Sequence, residues 1–181
     1  MAQTPEEHPH FLWKDLFQKN KGEKETLLEV LSRNVLFSTL TRRELRNLSH
    51  YVYERVYQPG EPVFKQNDRG FGMYIIVRGR VAIKTEHPDG EILHTVLDPG
   101  SFFGELSLIE SDSLRTATAE ALERTVIISF FKPDLVEIVE RKPETGVKIL
   151  FQLSKVLGRR LIETTEKITL LTRGKKTPPG R

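Results

Sequence analysis

The chain has 181 residues, 38% of them hydrophobic and 29% charged, with a net charge of only +3 and no cysteine. That composition suits one domain with helical extensions, and it excludes wholesale disorder, a disulfide framework and any zinc or iron–sulfur site built on thiolates. No apolar run approaches the ~20 residues needed to cross a bilayer, and the polar, proline-containing first ten residues hold no signal-peptide core, so a cytoplasmic protein without membrane association is expected.

Residues 1–24 read as a loose arm. Its apolar groups, Phe11, Leu12, Trp13, Leu16 and Phe17, are spaced as one side of a short helix that would dock on the protein's own surface or on a partner. Residues 25–50 read as helical, with Leu27, Leu28, Leu31 and Val35 in one stripe and Phe37 and Leu40 in a turn. Thr41 followed by Glu44 at its third position is the pattern of a capping box, and Leu45 and Leu48 continue the apolar face.

The pattern then changes to short β-rich runs at 51–57, 62–64, 73–77, 80–85, 92–97, 116–122 and 126–131. They are separated by Pro59-Gly60, Asn67-Asp68, Arg78-Gly79, Pro88-Asp89-Gly90 and Asp98-Pro99-Gly100. Many short strands with glycine and proline turns predict a sandwich or jelly-roll barrel, and Asp89-Gly90 is a hairpin signal.

After Pro133 the helical period returns. Pro133 suits the first turn of a helix to about Arg141, and Pro143 opens a long one to about Thr172. On it Val147, Leu150, Ser154, Leu157, Leu161, Thr164, Ile168 and Leu171 alternate at spacings of three and four, the seam of a parallel coiled-coil homodimer. A second line, Ile149, Leu153 and Val156, would rest on the barrel; the simpler alternative is one amphipathic helix packed on its own domain. The organisation expected is an arm at 1–24, a jelly-roll domain with N-terminal helices at 25–142, a capping and dimerisation helix at 143–172, and a solvated basic tail at 173–181.

The segment 102–121 carries the chemistry. Burying a singly charged cyclic phosphate requires a paired cation and hydrogen-bond donors. Gly104 lets backbone approach a ligand, and the residues after it can form one helical turn whose N–H groups face an anion. Arg115 follows across a short loop, placed at the start of a strand, where a rigid guanidinium grips two phosphate oxygens. Glu105 repels phosphate but accepts from a ribose hydroxyl.

The run Phe103-Gly104-Glu105-Leu106-Ser107-Leu108, followed by Arg115-Thr116-Ala117, resembles the phosphate-binding cassette of cyclic-nucleotide-binding domains, in particular catabolite-activator-like sensor domains. The resemblance extends over roughly 27–167. It implies an eight-stranded jelly-roll barrel flanked by helices. It also implies that Glu105 binds the ribose 2′-hydroxyl, Arg115 the cyclic phosphate, and that Ser107, Thr116 and the backbone of Gly104 and Leu106 complete the cradle. The family usually has glycine at the turn where this chain has Gln66-Asn67-Asp68-Arg69-Gly70; Asn67 is the residue type after glycine that best tolerates a left-handed backbone. The stretch 158–167 is similar to the family's nucleotide-capping helix, in which two consecutive hydroxyl residues contact the adenine, one from each subunit. Thr164 and Thr165 stand in those places, and Arg160, one turn earlier, is placed to hold Glu105. The threonines favour cyclic AMP; Thr116 beside Arg115 would also suit the guanine amino group of cyclic GMP.

Three function classes follow. The first is a ligand-operated switch that binds a cyclic nucleotide and acts on an unidentified downstream protein. A degenerate relative that keeps the fold and serves only as an interaction domain is a variant of it. The second is a transcription regulator, but the helix-turn-helix such regulators use would follow the long helix, where Pro178-Pro179-Gly180 stands, so no direct DNA binding is expected. The third, a metal-dependent jelly-roll enzyme, would need clustered inward histidines, and the barrel has only His87 and His94; no catalysis and no metal are expected.

Overall fold

In the computed structural model, residues 26–110 and 114–174 are described. Residues 1–25, which include the expected arm, residues 111–113 and residues 175–181 lie outside them.

The chain enters through two short helices, α1 (Leu27–Arg33) and α2 (Arg42–Leu48). Each starts at a full capping box. Thr41 and Glu44 satisfy each other's backbone donors as expected, and Thr26 with Glu29 repeats the device at α1. Each helix has only seven residues, too few to hold together alone. Packing holds them instead: Leu31, Leu36 and Phe37 are fully buried, and Phe37 meets Phe130 edge-on at 5.8 Å.

Eight strands follow: β1 (Val52–Tyr57), β2 (Pro62–Phe64), β3 (Gly72–Arg78), β4 (Val81–His87), β5 (Gly90–Leu97), β6 (Phe102–Phe103), β7 (Thr118–Ala121) and β8 (Thr125–Phe131). They form two four-stranded antiparallel sheets, β1-β8-β3-β6 and β2-β7-β4-β5, the jelly-roll barrel the turn spacing predicts. Seven of the strands are those expected. The eighth, β6, is a two-residue strand paired to β3 and is too short for any periodicity to mark.

The first sheet separates two cores. Ile76 and Ile127 point into the barrel with Tyr57, Val81, Phe103 and Ala119. Their sequence neighbours Ile75 and Ile128 point the other way, into the helices with Leu31, Leu135 and Ile149. A strand buried on both faces shows no alternation, which is why β8 reads as the continuous apolar run Val126-Ile127-Ile128.

Helix α3 (Lys132–Arg141), with Pro133 in its first turn, leads into α4 (Pro143–Gly174), 32 residues and about 48 Å long. The expected seam splits. Ile149 and Leu153 are fully buried, and Leu150, Val156 and Leu157 pack against the same core, so the first half of α4 belongs to the domain. Of the seam read from sequence, Val147, Ser154, Leu161, Thr164 and Ile168 are exposed, and Phe151 extends the outward apolar line of Val147, Leu161 and Ile168. From Gly158 to Leu170 every residue of α4 is exposed. Among the described residues, no helix is long and apolar enough to cross a membrane.

Candidate functional site

Gly104 follows β6 with φ +75°, a left-handed backbone that glycine adopts without strain, and opens a single 3-10 turn at Glu105–Leu108. A Cβ there would stand 2.6 Å from Arg115 Nη1, so the position also leaves room for the guanidinium.

Arg115 is not at the start of β7, as the sequence reading had it, but in the loop before it. Its backbone is pinned to the 66–70 turn: its N–H donates to Asp68 O and its carbonyl accepts from Asn67 N, both at 2.8 Å. Asn67 takes φ +69°, the left-handed conformation expected of it. The side chain is 5% exposed. Nη1 donates to Gly104 O (3.1 Å) and Ser107 Oγ (2.9 Å), and Nη2 donates to Gly72 O (2.8 Å). The guanidinium lies 4.2 Å from the centre of the Phe64 ring and 5.4 Å from that of Tyr74. Burial pulls its pKa below the ordinary arginine value, opposed by Tyr74, Glu105 and Asp68, and an arginine so shifted stays charged. Among the described residues no carboxylate is ion-paired to it, and its Nε is buried with no hydrogen-bond partner. A buried guanidinium hydrogen-bonded only to neutral acceptors, with a donor unspent, is chemically suited to receive an anion.

Glu105, also 5% exposed, is paired through Oε1 to Arg160 Nη1 of α4. Arg160 also reaches Phe102 O at 3.4 Å and lies 5.0 Å from the centre of its ring. A cavity of about 320 Å³ opens between cassette and helix. Its wall includes Gly104, Glu105, Leu106, Ser107, Arg115, Thr116, Ala117 and Arg160, nearly the whole expected set. Two roomier hollows, along the end of α4 and beside α3, have no buried charged side chain in their walls.

Three expected residues stand apart. Phe103 does not line the cavity but lies beneath it, stacked on Tyr74 at 5.5 Å and 5.8 Å from Phe64. Thr164 and Thr165 lie outside the cavity wall of the single chain; their hydroxyls donate to Arg160 O and Leu161 O, one turn back on α4. The sequence reading missed Phe64, Ile83, Glu110 and Leu114 in the wall, and two glycines behind it. Gly72 supplies a carbonyl to Arg115. Gly70 is needed because a Cβ there would fall 1.9 Å from Ser107 Oγ. The pair Gly70-Phe71-Gly72 was the available signal, since two glycines at the entry of a strand mark close backbone approach. Among the described residues there is no group of three or more histidine or acidic side chains placed to hold a metal ion.

The profile of the cyclic nucleotide-binding domain matches residues 54–142. The cyclic AMP receptor protein of Thermus thermophilus is 33% identical over 138 residues, and the match covers 76% of this chain and 62% of that protein. The crystal structure of Thermus thermophilus catabolite activator protein superposes with a TM-score of 0.69 at 32% identity, covering 77% of this chain and 63% of that one. The N-terminal domain of a transcriptional regulator from Streptomyces coelicolor A3(2) superposes with a TM-score of 0.66 at 30% identity, covering 77% of this chain. Because 94% of that Streptomyces domain is matched, and the profile runs from β1 through α3, the chain belongs to the cyclic-nucleotide-binding domain family.

Proposed function

We propose that this chain is a cytoplasmic regulatory module that binds cyclic AMP and works as a ligand-operated switch, dimeric through α4. The observation that carries the reading is the buried Arg115 guanidinium with its unpartnered Nε and no carboxylate ion-paired to it among the described residues. A singly charged cyclic phosphate supplies the missing charge and the missing acceptor together. Glu105 gives Oε1 to Arg160, which leaves Oε2 to accept from a ribose 2′-hydroxyl in the cavity. Ser107, Thr116 and the backbone of Gly104 and Leu106 complete the cradle, with Ala117 on its wall and Phe103 supporting Phe64 from behind.

Cyclic AMP is preferred because the Thermus relative carries cyclic AMP receptor in its name, and because Thr164 and Thr165 offer hydroxyls to an adenine once a second α4 lies alongside. The outward line Val147, Phe151, Leu161 and Ile168 is the surface such a second helix would cover. The switch runs through Arg160, whose helix meets the ligand cavity at Glu105; a ligand biases that contact only by binding one arrangement better than the other. The non-binding alternative is disfavoured, since a purely structural arginine would have no reason to keep a buried donor unsatisfied.

Calorimetric titration with cyclic AMP and cyclic GMP tests the reading. Cyclic AMP is expected to bind more tightly, and Arg115→Ala to cost at least about 2–5 kcal/mol of binding through loss of a buried charge partner. Failure of either nucleotide to bind, or equal binding by the variant, overturns it.

A further inference from the structure

Beside the cassette cavity, with which it shares Glu110, a groove of about 650 Å³ runs between α3 and the loop before β3. Arg69, Phe71, Lys132, Pro133, Val136 and Glu140 are in its wall. Phe71 is 64% exposed although its backbone is fixed, its carbonyl accepting from Lys132 N at 2.8 Å and Gly72 beginning β3 beside it. Val136 is about half exposed on α3, and nearby Tyr53, also about half exposed, packs its ring 5.5 Å from Phe131. A rigid aromatic and aliphatic surface left open to water gains free energy from any apolar cover, and nothing among the described residues covers it.

The chain supplies a matching piece. We propose that the N-terminal arm docks on its own domain, laying the apolar side of 11–17 into the groove between Phe71 and Val136. Phe11, Leu12, Trp13, Leu16 and Phe17 are the apolar cluster of a segment otherwise polar, and 18–25 is a wholly polar connection of the kind that spans surface rather than core. Phe17 lies nine residues before Thr26, a reach of about 30 Å when extended. Thr26 caps α1, which shares a core with α3, the helix that walls the groove, through Val30, Leu31, Leu135 and Ile138. Charge fits as well. Lys14 and Asp15 sit among the arm's apolar groups, and the groove wall carries Glu140 and Arg69, while its Glu137 and Arg141 are paired with each other. The proposal is independent of the nucleotide reading.

Trp13 is the sole tryptophan of the chain, so its fluorescence reports the arm alone. In the full chain, Trp13 is expected to emit at short wavelength and to be shielded from acrylamide. Val136→Asp in the groove and Leu16→Asp on the arm should each shift the emission to the red and restore full quenching. Leu93→Asp, on the exposed side of β5, should leave both readouts unchanged. Val136 and Leu93 are both exposed, so these variants should keep the fold, which circular dichroism verifies. Solvent-like emission in the wild type overturns the proposal. So does shielding indifferent to Val136→Asp, and so does shielding lost on dilution, which would put the arm on a second copy.

Discussion

Gly70→Ala tests how tightly the cassette is built. Gly70 has no left-handed backbone, so alanine meets no dihedral penalty there and the whole effect is steric. A Cβ at this position falls 1.9 Å from Ser107 Oγ, 2.8 Å from Ser107 Cβ and 3.1 Å from Arg115 Cζ. Turning the serine hydroxyl relieves the first contact but gives up the 2.9 Å bond from Arg115 Nη1. The second contact persists in any rotamer and forces the 3-10 turn outward. Overpacking of this kind costs about 1–3 kcal/mol of stability. Loss of a hydrogen bond to a charged group weakens nucleotide binding by about 1.5–3 kcal/mol, on the order of 10- to 100-fold. Urea denaturation reads the first and calorimetric titration with cyclic AMP the second. Gly60→Ala is the control: that residue has a positive φ but no atom within 4 Å of the added carbon, so it carries backbone strain without touching the site. If Gly70→Ala matched the wild type in both stability and affinity, the packing of Ser107 and Arg115 behind the cavity would be wrongly drawn.

Two further outcomes follow from the contacts of α4. Glu44 accepts from Thr41, Thr145 and Lys148, tying α2 to α4. Burial pushes its carboxyl up, but hydrogen bonds from Lys148, Thr41 and Thr145 outweigh it and hold the pKa at about 2. A folded value below the unfolded one stabilises the protein fully above about pH 4.5 and progressively less as pH falls toward 2. With solvent reaching Lys148, Glu44→Gln should cost about 1–2 kcal/mol at pH 7 and less at pH 3; denaturation showing the same loss at both would refute the tie. Arg160→Ala removes the partner of a buried carboxylate and should weaken cyclic AMP binding by about 1–2 kcal/mol, below the full value for a buried pair because Arg160 is itself 45% exposed; titration showing unchanged affinity would remove Arg160 from the site.

Much of this was legible in the sequence because its signals are side chains at fixed spacing. The turn pairs marked seven of the eight strands, Thr41 and Glu44 marked α2, and the glycine, acid and arginine of the cassette appear in order. Arg160 meets Glu105 as its place on the helix suggested. The losses have a common cause. Gly72 acts through its carbonyl, Gly70 through the side chain it lacks, and Arg115 is placed by backbone bonds to Asn67 and Asp68; a pattern of side-chain types records none of these. On α4 the seam is kept in part, with Val147, Ser154, Leu161, Thr164 and Ile168 exposed, and Ile149, Leu153 and Val156 rest on the domain as read. Two apolar lines lie one residue apart on one helix, and periodicity ranks them equally. Only the barrel's position decides that Leu150 and Leu157 turn toward the domain while Phe151 turns away.

That rotation bears on how the proposed switch works. The half of α4 before Gly158 is bound to the domain twice, by Ile149 and Leu153 in the core and by the Glu44 tie to α2. The half after it has a link back to the barrel through Arg160, to Glu105 and to Phe102 O. Glu105 follows Gly104, whose carbonyl is held by Arg115. In the proposed switch a cyclic phosphate drawing on Arg115 would act one residue away from Glu105, whose carboxylate holds the distal helix, and a ribose on the other carboxylate oxygen would act on the same residue. One short turn would thus read the phosphate and the ribose of the proposed ligand together, and the helix beyond Gly158, without a core of its own among the described residues, is the part of the domain whose position that turn would change.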